Sequence, residues 1–118
     1  MAQQSILKDK SYNFAVRIVN LCKFLQEEKR EYILSKQIIR SGTFIGASIR
    51  EAEFAQSSLD YIHKFSVSLK EANETQYWLD LLKDTDFIEN DLYESLNNNC
   101  KEIISMLVST IKTLKNKK

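Results

Sequence analysis

The stretch SSLDYIHKFSVSLKEANETQYWLDLL, residues 57–82, carries the strongest periodic pattern in the chain. Leu59, Ile62, Phe65, Leu69, Ala72, Leu79 and Leu82 recur at three- and four-residue steps and their sum. That spacing lines one side of an α-helix, whereas a strand would need a period of two. Ser57 followed by Asp60 reads as a capping box with Asp in place of Glu, which starts the helix near residue 58. Asp84-Thr85-Asp86 breaks the pattern and ends it.

The same periodicity appears on both sides of this stretch. Upstream, Phe14, Ile18, Leu21 and Leu25 form a stripe widened by Ala15, Val19 and Cys22, which predicts a helix over about 11–28. The charged run Glu27 to Glu31 closes it, and Ser35 is the expected N-cap of a second helix over about 36–55 through Ile38, Ile39, Ile45, Ile49 and Ala52. Downstream, Glu89 to Asp91 can cap a fourth helix over about 90–115, with Leu92, Leu96, Ile103, Leu107, Ile111 and Leu114 inward. Lys115 to Lys118 should fray. The chain has no proline and only two glycines among 118 residues, so little interrupts the helices. Four similar helices on short connections predict an all-α, antiparallel up-down-up-down four-helix bundle, with residues 1–118 as a single domain.

Composition narrows the function. Cys22 and Cys100 belong to no Cys-x-x-Cys pair and are expected as free thiols in a reducing compartment. No segment approaches the ~20 apolar residues of a membrane span, and the first residues lack the apolar run of a signal peptide, so a cytoplasmic protein without membrane contact is expected. The formal net charge of +1 argues against a uniformly basic nucleic-acid binder, but the charge is unevenly spread. Residues 1–50 carry nine Lys/Arg against four Asp/Glu, residues 51–100 three against eleven, and residues 101–118 five against one. An acidic middle between basic ends permits either opposite faces on one bundle with head-to-tail pairing of copies, or simply solvated helix surfaces.

Candidate chemistry is sparse. His63 is the chain's one histidine; Asp60-x-x-His63 has the spacing of half a carboxylate–histidine metal site, but a second histidine does not exist, so no metal or other cofactor is expected. Neither cysteine has a neighbouring base, and no phosphate-cradling glycine loop or nucleophile elbow occurs, so no catalytic residue is assigned. Lys70 with Glu74 and Asp60 with Lys64 have the spacing of surface ion pairs. Gly42 and Gly46, flanked by Ser41, Ala47 and Ser48, leave one helix face nearly bare. Such a face permits either close packing on a neighbouring helix, within the chain or between subunits, or a kink. Trp78 and Val67 lie off the main stripe of the third helix, so that helix either packs widely within one chain or anchors a subunit contact.

At these residues the sequence resembles the bacterial four-helix-bundle proteins encoded in intervening sequences of 23S ribosomal RNA genes, a family that includes the accessory variability protein of diversity-generating retroelements. The resemblance runs from Phe14-Ala-Val-Arg-Ile-Val through the fourth helix. Its markers are Gln37, Arg40-Ser41, Ile45-Gly46-x-Ser48-Ile49-x-Glu51-Ala52 and Lys70-Glu71-Ala72-x-Glu74-Thr75-x-Tyr77-Trp78-Leu79. The family often has Asn at Ser48 and Ser at Phe44. What the resemblance implies is a homo-pentamer with a basic surface or channel that engages nucleic acid. On this chain, phosphate contacts are expected from Arg17, Lys23, Lys29, Arg30, Lys36 and Arg50, and helix or subunit packing from Gly42, Gly46, Ser48 and Trp78. The alternative is a protein-interaction scaffold whose basic residues meet the acidic third helix of a neighbouring copy.

Overall fold

The computed structural model describes residues 2–116. Its four helices are α1 (Ala2–Glu28), α2 (Leu34–Ala52), α3 (Ser58–Asp84) and α4 (Asn90–Asn116). Each packs on its neighbours in sequence, α1 and α4 close the ring, and the diagonal pairs stay apart. With loops this short, consecutive helices alternate in direction. The result is an antiparallel four-helix bundle measuring 49 × 22 × 19 Å.

The apolar stripes meet along the axis. Phe14, Ile18 and Leu25 of α1, Ile38 and Ile45 of α2, Phe65, Leu79 and Leu82 of α3, and Leu96, Ile103 and Leu107 of α4 are almost wholly removed from water. Full burial of each such side chain contributes roughly 1.5–3 kcal/mol. Leu59, expected on the inward stripe, is instead 81 % exposed, because it sits in the first turn of α3 and points away from the core.

Helix α1 begins at Ala2 rather than near Ser11. Leu7 and Ser11 are both fully buried and continue the Phe14–Ile18 stripe by one more step in each case. The polar residues Gln3, Gln4, Lys8, Asp9 and Lys10 hide that continuation in the sequence. The N-cap of α2 also differs from expectation. Ser35 lies inside the helix, and the Glu31 carboxylate accepts from the backbone N–H groups of Ile33, Leu34 and Ser35 at 3.0, 2.7 and 2.7 Å. An anion at this position also offsets the helix dipole. α2 ends at Ala52, short of residue 55, because Phe54 and Ala55 turn back in i→i−3 hydrogen bonds.

At α3, Ser57 caps as expected, accepting from the Asp60 N–H at 3.0 Å; the Asp60 carboxylate accepts from Gln56 N–H rather than from the cap residue. The helix closes at Asp84–Thr85–Asp86, with Asp86 left-handed (φ 67°) and Phe87 N–H donating to Leu82 O. This is a Schellman closure with Asp where glycine is usual. Lys115 and Asn116 remain helical, while Lys117 and Lys118 lie outside the described residues.

Small residues bring α1, α2 and α3 close together. A methyl group at Gly42 would stand 2.9 Å from Ile18 Cγ1 and Cγ2, and one at Gly46 3.2 Å from Ser11 Oγ. Across the other flank of α2, Ser48 donates to Lys64 O at 2.7 Å, Ser68 donates to Ile45 O at 2.8 Å, and the Thr75 and Ser41 hydroxyls meet at 2.9 Å. The glycines therefore serve close packing within the chain, and α2 runs through them as one helix.

Candidate nucleic-acid interface

The six basic residues singled out by the sequence divide into three places. Lys23 lies exposed in the last turns of α1, Lys29 and Arg30 in the turn that follows, and Lys36 near the start of α2, so these four gather around one end of the bundle. Arg50 sits far from them. Gly46 opposes Ser11 and Gly42 opposes Ile18, which places Arg50 level with the start of α1, about 30 Å along the axis from Lys29 at 1.5 Å per residue. Arg17 faces α4, where it is half-buried and donates to Asn99 Oδ1 at 2.6 Å.

Five of the other basic residues are held in ion pairs, and Lys70, Lys101, Lys112 and Lys115 are not among them. Lys8 pairs with Glu53, Lys10 with Glu102, Arg40 with Glu74, Lys64 with Glu51 and Lys83 with Asp84. The pairs expected at (i, i+4), Lys70–Glu74 and Asp60–Lys64, do not form, because α2 packs close enough for Arg40 and Glu51 to reach Glu74 and Lys64 first. Among the described residues, none of Arg17, Lys23, Lys29, Arg30, Lys36 and Arg50 is in an ion pair.

Two of the six stand on aromatic rings. The Lys29 ammonium lies 5.8 Å from the Phe24 ring centre and the Arg50 guanidinium 5.7 Å from that of Tyr12, both within cation–π range. Arg30 adopts φ 54°, which turns the chain out of α1 and presents the basic turn at the bundle's end. Of the carboxylates flanking Lys29 and Arg30 in the sequence, Glu31 is engaged by the N-terminus of α2, while Glu27 and Glu28 stay exposed in the last turn of α1. Opposite lies the α3–α4 turn: Phe24 and Lys29 share a crevice with Asp86, Phe87 and Glu89. Lys29 thus faces Asp86 and Glu89 across one end of the bundle.

Between α1 and α2, toward the other end, runs a groove of about 450 Å³. Ala15, Thr43, Gly46 and Ala47 form its floor, with Tyr12, Arg50, Phe54, Lys8 and Glu51 around it. It exists because the glycine-bearing face of α2 draws the backbones together without side chains to fill the surface. Tyr12 is 56 % exposed and Phe54 81 %. These aromatics are invisible to sequence periodicity, since Tyr12 and Arg50 meet only across two helices.

Of the packing candidates, Gly42 and Ser48 are buried inside the protomer. Trp78 is half-buried against the core, donates its indole N–H to Glu74 Oε2 at 3.1 Å and meets Tyr77 edge-on. Its position off the main stripe follows from α3 lying between α2 and α4. His63 is exposed on α3. Cys100 is buried, bonded to Ala72 O, and burial pushes its thiol up to about 12. No helix among the described residues is long and apolar enough to cross a membrane.

Residues 3–109 match the model of the 23S rRNA-intervening sequence protein family. The chain belongs to that family. A crystal structure of a protein of unknown function from the S23 ribosomal protein family of Bacteroides thetaiotaomicron VPI-5482 superposes with a TM-score of 0.92 and 58 % sequence identity, covering 93 % of this chain and 98 % of that one. No curated protein matches the sequence. The Bacteroides protein therefore shares this four-helix fold.

Proposed function

We propose that this protein is a non-catalytic, self-associating module that binds RNA, or an RNA-containing complex, through phosphate contacts. The observation that carries this reading is the gathering of Lys23, Lys29, Arg30 and Lys36, none of them in an ion pair among the described residues, around one end of the bundle. Cations without carboxylate partners can release counterions from a phosphate backbone, which makes binding strongly salt-dependent and weakly sequence-specific. The family's name links it to 23S rRNA genes, and the resemblance implies five copies per assembly.

A filter-binding titration against structured RNA at low salt tests the reading; no retention of RNA would sink it. The double charge reversal Lys29→Glu with Arg30→Glu separates it from a pure protein scaffold. Assemblies that keep their subunit number in native mass spectrometry but lose RNA support it, and assemblies that fall apart favour the scaffold. The scaffold reading draws on the exposed apolar side chains Ile33, Phe54 and Leu59, which occupy the turns at both ends.

A further inference from the structure

We infer that the groove between α1 and α2 is a base-stacking site for unpaired nucleotides, so that the protein takes single-stranded RNA in preference to duplex. This rests on the RNA-binding reading and adds the class of RNA to it.

The groove's shape and charge specify the occupant. Its floor is made of the small side chains of Ala15, Thr43, Gly46 and Ala47, the Thr43 hydroxyl being turned to Ile39 O, and a mainly apolar slot of about 450 Å³ remains between α1 and α2. Tyr12 and Phe54 stand at its edge with 56 % and 81 % of their surface in water. The carboxylate of Glu51 is held by Lys64 at 3.2 Å and Lys8 is held by Glu53, so both charges are balanced. Arg50 remains, without a carboxylate and poised 5.7 Å from the Tyr12 ring centre. An apolar slot with exposed rings and one uncompensated cation suits a flat apolar body bearing one negative charge. One nucleotide of an RNA strand has that form, with its base on the aromatic edge and its phosphate at Arg50. Stacking on aromatic rings beside cations is the general means of gripping single strands, and it requires bases whose faces are free. Duplex RNA conceals those faces. A second cation-on-ring pair, Lys29 over Phe24, lies about 30 Å away on a different flank, against the α3–α4 turn, and is not part of the groove. An apolar protein partner would use the slot but leave the cation of Arg50 over Tyr12 without a role.

The test is fluorescence anisotropy of the intact protein with a labelled, unstructured poly-adenosine RNA and with an RNA duplex of equal length, both at low salt. Tyr12→Ala and Phe54→Ala should each weaken single-strand binding roughly 5- to 100-fold with an unchanged salt slope, and leave duplex binding as it was. Arg50→Gln should lower the single-strand salt slope by about one phosphate contact. Ala47→Trp, which fills the slot, should act like Tyr12→Ala. All four positions are exposed, and circular dichroism verifies the fold. Single-strand affinity unchanged in Tyr12→Ala and Ala47→Trp overturns the inference while leaving the phosphate reading intact. So does a drop in subunit number for these variants in native mass spectrometry, which would make the groove a contact between copies. A wild-type protein that binds neither RNA overturns both readings.

Discussion

Gly42 shows how a single missing methyl group sets the geometry of the bundle. Alanine there would meet two atoms of Ile18, a branched and fully buried side chain that cannot swing aside. Overpacking of this kind costs about 1–3 kcal/mol, against about 1 kcal/mol gained in helix propensity. Gly42→Ala should therefore lower the urea midpoint, and Gly46→Ala, whose nearest neighbours stand at 3.2–3.4 Å, should lower it less. A midpoint for Gly42→Ala at or above wild type would contradict the packing argument. Tyr93 provides a second residue-scale handle. Its hydroxyl donates to Asp80, and that bond, with burial and the Asp80 charge, raises the phenol from 10.0 to about 12. Below pH 10 the phenol is protonated in both the folded and unfolded chain, so its contribution is fully present. Between pH 10 and about 12 the unfolded chain releases a proton that the folded protein still holds, and stability falls as pH rises. Urea titrations across that window should show a shallower loss for Tyr93→Phe than for wild type, and equal slopes would refute the Asp80 assignment.

At the scale of the element, α2 is the helix whose start is held by a side chain from the preceding turn. Its first turn depends on one carboxylate, since Glu31 accepts from three backbone N–H groups and no side chain at Ile33 caps the helix. Removing an N-cap acceptor costs about 0.5–2 kcal/mol. Glu31→Ala should reach the upper part of that range and fray residues 34–37, visible as faster amide exchange there than in the middle of α2. The same substitution bears on function, because the α1–α2 turn holds Lys29 and Arg30 in place. The acidic counterpart, the α3–α4 turn, is fixed by the Asp86 closure. Two turns of opposite charge therefore lie side by side at one end, each held by its own backbone geometry.

For the whole molecule, the helices are unequally tied. α2 is held on both flanks, by Gly42 and Gly46 against α1 and by the serine and threonine contacts against α3, whereas α1 and α4 make the loosest of the four contacts. Local opening follows contact density. Amide exchange followed by mass spectrometry should therefore find α4 less protected than the central part of α2. Equal protection throughout would mean the α1–α4 side is as tightly closed as the rest. The looser α1–α4 side also holds Arg17, whose bond to Asn99 bridges it.

The sequence by itself determined the number of helices, their inward stripes and most of their ends, because a 3.6-residue period and capping residues are local signals. It also marked the glycine-bearing face of α2 and the basic residues. It missed the first turns of α1, where Leu7 and Ser11 are buried among polar neighbours, and the Glu31 cap, since a carboxylate ahead of the helix is recognisable only once the turn is folded. Tertiary structure alone decided that Gly42 and Gly46 serve packing within the chain, that Lys64 pairs with Glu51 and Glu74 with Arg40 across helices, and that Arg50 stands over Tyr12 beside an open groove. Those facts depend on distances between residues far apart in the chain, and such distances exist only after the four apolar stripes have closed on one another.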